Sequence, residues 1–303
     1  MTSFSKDTAA SLAQFINYAY DMASTPVGTI PPTPAGFPSN YTIVAYAQAQ
    51  DDFWGDDSPE YYGFVAQSTA ANQIIVAIRG TDFIVEWLID FEVGMTPFTA
   101  ISGAGSVEEG FYSVFSTLQF VDTNLQPFNL QNYLGQAITT NPQPSIIIEG
   151  HSLGGPIASM LALVSVNRNS ALQAPTTVYT FAAPAPGDET FRDYYDANAP
   201  LTYRVWNVLD PVPTALQAFG YYQIAGEGIK LTPTWEQMEG YDFLSVICNH
   251  SLMTYQWLLN SQWPLEPDCQ WPWDAAAHAE QRQRTIAAIR TRRLKHAAGG
   301  KLS

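Results

Sequence analysis

Ser145-Ile146-Ile147-Ile148-Glu149-Gly150-His151-Ser152-Leu153-Gly154-Gly155, running on through Pro156-Ile157-Ala158 into an apolar stretch that ends near Val166, decides the fold. Within 145–149, Ile146-Ile147-Ile148 is a continuous apolar run, the pattern of a strand covered on both faces of a largely parallel sheet. Residues 153–166 read as an apolar helix. Between them sits Gly-x-Ser-x-Gly. Alone, that pattern is expected by chance in about one chain in ten of this length. A buried strand before it and a helix directly after it make it specific, because a nucleophile elbow requires that setting. The tight turn puts Ser152 in strained backbone geometry, and Gly150 and Gly154 allow strand and helix to approach where a Cβ would clash. The Ser152 hydroxyl then stands free, with the helix N-terminus aimed at it and the Leu153 N–H placed to donate to an oxyanion. Pro156 suits the first helical turn, where its missing N–H is not needed.

Working outward, strand-like runs occur at 41–48, 61–67, 73–78, 176–181 and 202–208, each rich in β-branched or aromatic residues. Helical patterns at 108–118 and 130–139 fall among them, and another lies near the N-terminus through Leu12, Phe15, Ile16, Tyr18, Ala19 and Met22. Strands alternating with helices predict an α/β fold with a mostly parallel central sheet flanked by helices. Residues 24–40, with five prolines, join these elements as extended surface chain. No repeat or flexible linker interrupts 1–273, so this range reads as one domain and 274–303 as a basic, helical or frayed tail.

A serine nucleophile needs a base, and the chain holds four histidines: His151, His250, His278 and His296. His151 is held beside the nucleophile, and His278 and His296 lie in the tail. His250, in Cys248-Asn249-His250-Ser251, remains. The orienting acid should fall between Ser152 and His250. Asp188, Asp193, Asp196, Asp210 and Asp242 qualify by position; Asp193 and Asp196 read as solvated. Asp210 follows a strand and precedes Pro211-Val212-Pro213, at the sheet edge where such folds build their sites, and is the acid chosen here.

Together with Ile78-Arg79-Gly80-Thr81, Glu109-Gly110-Phe111, Thr180-Phe181-Ala182-Ala183-Pro184 and the run Arg204 to Pro213, the elbow resembles the class 3 lipase family over roughly residues 10–260. That family contains fungal triacylglycerol lipases, feruloyl esterases and plant phospholipases. The resemblance implies an α/β-hydrolase fold and assigns Thr81 to the oxyanion hole beside Leu153. It also implies a lid helix over 82–91, where Phe83, Ile84, Trp87 and Leu88 accompany an acidic stripe of Asp82, Glu86 and Asp90. Two departures touch local hydrogen bonding: the family often has histidine where this chain has Glu108, and again near Gln223.

The expected chemistry is two-step acyl transfer with Ser152 as nucleophile, His250 as base and Asp210 as its orienter, and it calls for no metal or organic cofactor. The expected substrate is a lipid or other ester, with acylglycerols first and soluble esters of the feruloyl type or a phospholipase A1 reaction as alternatives. A non-catalytic binding module on the same scaffold is the rival of another class; such a module need not keep serine, base, acid and oxyanion threonine together.

Charge narrows the partners. Residues 1–274 carry 6 basic and 27 acidic side chains, a formal −21, whereas 275–303 carry 7 and 1, a formal +6. So acidic a body repels nucleic acid. The longest apolar stretch is too short to span a bilayer, which leaves at most transient contact with a lipid–water interface and no stable membrane insertion. Residues 1–24 lack the apolar run of a signal peptide, which sets a cytoplasmic expectation, or an extracellular one if Met1 opens a mature form. The two cysteines, Cys248 and Cys269, read as free thiols by default, although a bridge between them would pin the segment that carries His250.

Overall fold

The computed structural model describes residues 3–51, 56–81 and 94–270. Its centre is an eight-stranded sheet: β1 Thr42–Asp51, β2 Asp56–Ser68, β3 Gln73–Ile78, β6 Gln119–Asp122, β7 Ser145–His151, β8 Thr176–Phe181, β9 Leu201–Asn207 and β10 Ile229–Leu231, in the order β10-β9-β8-β7-β3-β2-β1-β6. From β10 to β3 all neighbours run parallel, and β2, β1 and β6 continue the sheet antiparallel. A separate two-stranded ribbon pairs β4 Met95–Pro97 with β5 Ser106–Glu108. The sequence patterns anticipate the six inner strands, β9, β8, β7, β3, β2 and β1. They miss β4, β5, β6 and β10, which have three or four residues each and are too short to show a period.

Alternation along the strands explains how the sheet is buried. Ile74, Val76 and Ile78 of β3 and Ile146 and Ile148 of β7 face one core, while Ile75, Ala77 and Ile147 face the other. Each such isoleucine or valine, taken fully out of water, contributes roughly 1.5–3 kcal/mol. The first core is closed by α2 Glu109–Thr117, α3 Leu130–Ala137, α4 Gly154–Arg168 and α5 Glu189–Asn198. The second is closed by α1 Lys6–Met22 and α7 Leu252–Leu259, with α6 Val246–His250 just before α7.

α4 is buried at every position from Gly154 to Val166, so it carries no polar stripe; its buried Ser159 and Ser165 hydroxyls donate back to Gly155 and Leu161 carbonyls at 2.9 and 2.7 Å. α1 starts at Ser5, whose hydroxyl accepts from the Thr8 N–H, and presents Ala9, Ala10, Ala13 and Ala19 inward, small side chains that let it lie close on the sheet. Its polar residue Asn17 donates to Gln256 of α7 at 2.7 Å, and Gln256 donates to the Ala10 carbonyl at 3.0 Å, so the two helices that cover this face are tied together.

One expectation is corrected: Cys248 and Cys269 are not free thiols but form a disulfide, joining α6 to the turn at 267–269. Sequence separation alone could not show that α7 folds this segment back onto α6. The expected lid over 82–91, with Phe83, Ile84, Trp87 and Leu88, lies outside the described residues, as does the tail 274–303.

Candidate active site

Ser152 stands immediately after β7 with φ of +54°, a left-handed conformation that costs a non-glycine residue on the order of 1–2 kcal/mol. The turn is held by its own backbone: Ser152 N–H donates to the Phe181 carbonyl at 2.9 Å, and Gly155 N–H donates to the Ser152 carbonyl at 2.9 Å. A Cβ at Gly150 would run into the Gly154 carbonyl, so glycine is required for β7 and α4 to meet at this angle. Leu153 opens α4, and the first N–H groups of a helix have no intrahelical acceptor, which leaves donors beside Ser152.

His250 and Asp210 meet from two different sheet-edge segments. Asp210 ends the β9 turn, where its N–H donates to the Asn207 carbonyl at 3.1 Å. Its Oδ1 accepts from the Val212 N–H at 3.0 Å. Its Oδ2 takes two donors, His250 Nδ1 at 2.9 Å and the Tyr255 hydroxyl at 2.8 Å. Both side chains are removed from water, with 4% exposure for His250 and 0% for Asp210. A carboxylate with three donors is well satisfied where water cannot reach it. Because Nδ1 faces a carboxylate, the neutral ring carries its proton there and Nε2 is left with a lone pair.

Among the described residues, neither Ser152 Oγ nor His250 Nε2 has a hydrogen-bond partner, and both are buried. The serine–histidine bond is therefore open in this structure, a state in which catalytic hydrogen bonds are often found before substrate arrives. His151 links the two residues: it ends β7 and leads directly into Ser152, its Nε2 lies 2.9 Å from the His250 carbonyl, and the two imidazole rings are 4.8 Å apart.

Thr81 lies just beyond β3, half-buried, on backbone fixed by its neighbours. The Arg79 guanidinium donates to the Tyr61 carbonyl at 2.9 Å and the Gly80 carbonyl at 2.7 Å, pairs with Glu60, and sits over the Tyr62 ring at 4.5 Å. β3 lies beside β7 with Ile78 opposite Gly150, so the β3 end carrying Thr81 and the elbow occupy one edge of the sheet.

The other acidic candidates have separate duties. Asp188 caps α5 by accepting from the Phe191 N–H, Asp193 pairs with Arg192, and Asp196 accepts from the Ala225 N–H. At the two family departures, Glu108 caps α2 by accepting from Gly110 and Phe111, and Gln223 donates to the carbonyls of Ala183 and Pro213, bracing the turn after Asp210. The sequence reading misses Tyr255 and Tyr20, whose hydroxyl lies 2.8 Å from His151 Nδ1. Tyr255 sits five residues after His250 in an apolar helix and looks like core; nothing in its neighbourhood along the chain marks its hydroxyl. Burial, and secondarily the Asp210 charge, raises the Tyr255 pKa well above its ordinary value, so it stays a donor.

Residues 75–219 match the family described as Lipase (class 3). The chain is 31% identical over 193 residues to phospholipase A1-II 3 of Oryza sativa subsp. indica, covering 55% of this chain and 45% of that protein. It is 28% identical over 165 residues to secreted mono- and diacylglycerol lipase 1 of Fusarium solani, covering 54% and 46%. The matches thus span under half the length of these relatives. In structure it is similar to the Rhizomucor miehei triacylglyceride lipase, with a TM-score of 0.57, 22% identity, and coverage of 76% of this chain and 80% of that one. The likeness to that lipase identifies the fold as that of the α/β-hydrolases. Matched family region, ordered motifs and shared fold make residues 75–219 of this chain similar to the class 3 lipases, on an α/β-hydrolase fold.

Proposed function

We propose that the chain is a serine carboxylester hydrolase of acylglycerol-type lipids that works through an acyl-enzyme intermediate. The observation that carries this reading is the buried Asp210–His250 pair beside a serine held in a left-handed elbow. Ser152 Oγ attacks the ester carbonyl carbon while His250 Nε2 accepts its proton, and the resulting imidazolium is stabilised by Asp210 through Nδ1. The N–H groups of Thr81 and Leu153 receive the carbonyl oxygen as it becomes an oxyanion. The tetrahedral intermediate collapses, the alkoxide leaves with the proton from Nε2, and water repeats the sequence to release the acid.

Exposed apolar side chains next to the base favour a lipid substrate. Leu244 is 80% and Ile247 55% exposed, and their neighbours Phe243 and Val246 are exposed as well, on the segment that leads into His250. An apolar cluster in that position suits transient contact with a lipid–water interface. Among the described residues, no helix is long and apolar enough to cross a membrane. Hydrolysis of a phospholipid at sn-1 is the second reading, favoured by the rice relative's name. The disulfide favours an oxidising compartment over the cytoplasm; two free thiols in protein recovered from its natural source would count against that placement.

The test is hydrolysis of p-nitrophenyl esters of graded chain length, then of emulsified triacylglycerol and of phosphatidylcholine, with Ser152→Ala as control. Ser152-dependent release that rises with acyl length supports the proposal. Equal rates in the two proteins would overturn it, a preference for acetate would move it to a soluble-ester esterase, and phosphatidylcholine exceeding triacylglycerol would move it to phospholipase A1.

A further inference from the structure

Gly80, Tyr20, His151 and the carbonyl of His250 form a hydrogen-bond chain that the proposed acyl transfer does not use. The Tyr20 hydroxyl, near the end of α1, accepts from the Gly80 N–H at 2.9 Å and lies 2.8 Å from His151 Nδ1. His151 Nε2 lies 2.9 Å from the His250 carbonyl oxygen. The His151 ring is 4% exposed, and burial, with His250 beside it, holds its pKa well below the usual histidine range, so it is neutral. A carbonyl can only accept, so the single ring proton must be on Nε2. Nδ1 is then an acceptor and Tyr20 must donate to it, keeping a lone pair for Gly80.

We propose that Tyr20 and His151 are positioning residues that hold the oxyanion strand end and the catalytic base at a fixed spacing across the nucleophile. The proposal rests on the serine hydrolase reading above. At one end, a Cβ built on Gly80 would lie 2.7 Å from Ser152 Cβ and 2.8 Å from the Tyr20 hydroxyl, so this backbone is packed directly on the elbow. Thr81 is the next residue, and any shift of Gly80 moves its N–H. At the other end, the His250 carbonyl belongs to the residue whose Nε2 must reach Ser152. Removing the Tyr20 hydroxyl leaves the buried His151 Nδ1 without a donor and the Gly80 N–H without its acceptor, so the ring and the strand end lose the contact that fixes their spacing. The strand end and the base can then shift relative to each other. A misplacement of about 1 Å in such a site costs on the order of 100-fold in rate.

The test uses Tyr20→Phe, His151→Leu and His151→Gln on a soluble p-nitrophenyl ester, with Ser152→Ala as blank and rates divided by the sites that a phosphonate titrates at completion. Tyr20→Phe and His151→Leu should lower kcat by about 10- to 100-fold with KM within about threefold, because alignment in the transition state is what they disturb. His151→Gln should recover most of the loss, since its amide can donate to the same carbonyl. Equal losses in the leucine and glutamine variants would overturn the proposal, as would a Tyr20→Phe loss that vanishes on normalisation. The ¹⁵N shifts of His151 decide independently of turnover. Nε2–H in both proteins is expected, with the Nδ1 signal carrying a hydrogen-bond shift in the native chain that Tyr20→Phe loses; Nδ1–H in the native chain, or an Nδ1 signal unchanged in the variant, overturns the positioning role. Turnover independent of Ser152 would instead remove the hydrolase reading and leave this measurement to decide the chain's polarity.

Discussion

Glu108→Gln should abolish a pH dependence of stability that the native chain carries at the start of α2. Glu108 is 1% exposed, and its carboxylate accepts from Gly110 N–H at 2.9 Å and Phe111 N–H at 2.6 Å. Burial pushes its pKa from 4.5 up to about 7, against the two N–H donors that lower it and with a small further rise from Glu109. In the unfolded chain the group titrates near its ordinary value. Between those two values the native state binds a proton that the unfolded state has lost, so stability falls as pH rises through the window. Above the folded value the loss is complete. The displacement corresponds to about 3 kcal/mol, most of it falling between pH 5 and pH 8. Glutamine keeps the shape and one acceptor but cannot ionise. Urea unfolding of both proteins at pH 5 and pH 8 isolates the effect, because every other group titrates alike in the two. The difference in unfolding free energy, variant minus native, should move in the variant's favour by about 2–3 kcal/mol. Parallel pH curves for the two proteins would refute the reasoning.

Three other outcomes follow from the site. Asp210→Asn should lower kcat by about 10³- to 10⁴-fold, because the amide can no longer fix the His250 proton on Nδ1; a loss under tenfold in ester hydrolysis would argue against the assigned acid. Tyr255→Phe removes a donor from Asp210 Oδ2 and the acceptor of the Asn207 N–H at 3.0 Å, and should cost about 1–3 kcal/mol in thermal or urea unfolding with a smaller loss of kcat than Asp210→Asn. Reducing the Cys248–Cys269 bridge opens a loop whose ends are 21 residues apart and should lower stability by about 3 kcal/mol. Activity measured with and without reductant should fall as well, since α6 carries both Cys248 and His250; unaffected activity would mean that the base is held without the bridge.

The elbow, the parallel sheet around it and the three side chains Ser152, Asp210 and His250 were legible because each rests on a local pattern. A continuous apolar strand, a glycine-flanked serine and an apolar helix are neighbours in the chain, and four histidines leave few choices for a base. The disulfide, Tyr255, Tyr20 and the role of His151 were not legible. Cys248 and Cys269 are 21 residues apart, Tyr20 and His151 are 131 apart, and Tyr255 and Asp210 are 45 apart; what joins them is the packing of α1 and α7 on one face of the sheet. Glu108 shows the same limit: along the chain it is an ordinary surface-type acid beside Glu109, and only the pairing of β5 with the 186–187 segment takes it out of water.

By itself, then, the amino-acid order determined where backbone strain would be placed and which faces of each strand and helix would turn inward, because both depend on residues within one turn or one strand of each other. Tertiary structure decided the protonation pattern: which hydroxyl donates to Asp210, which nitrogen of His151 holds its proton, and that Glu108 is taken out of water. Those are properties of groups brought within 3 Å across the sheet edge and through the N-terminal helix, and hydrogen-bond direction and desolvation exist only once those groups have met.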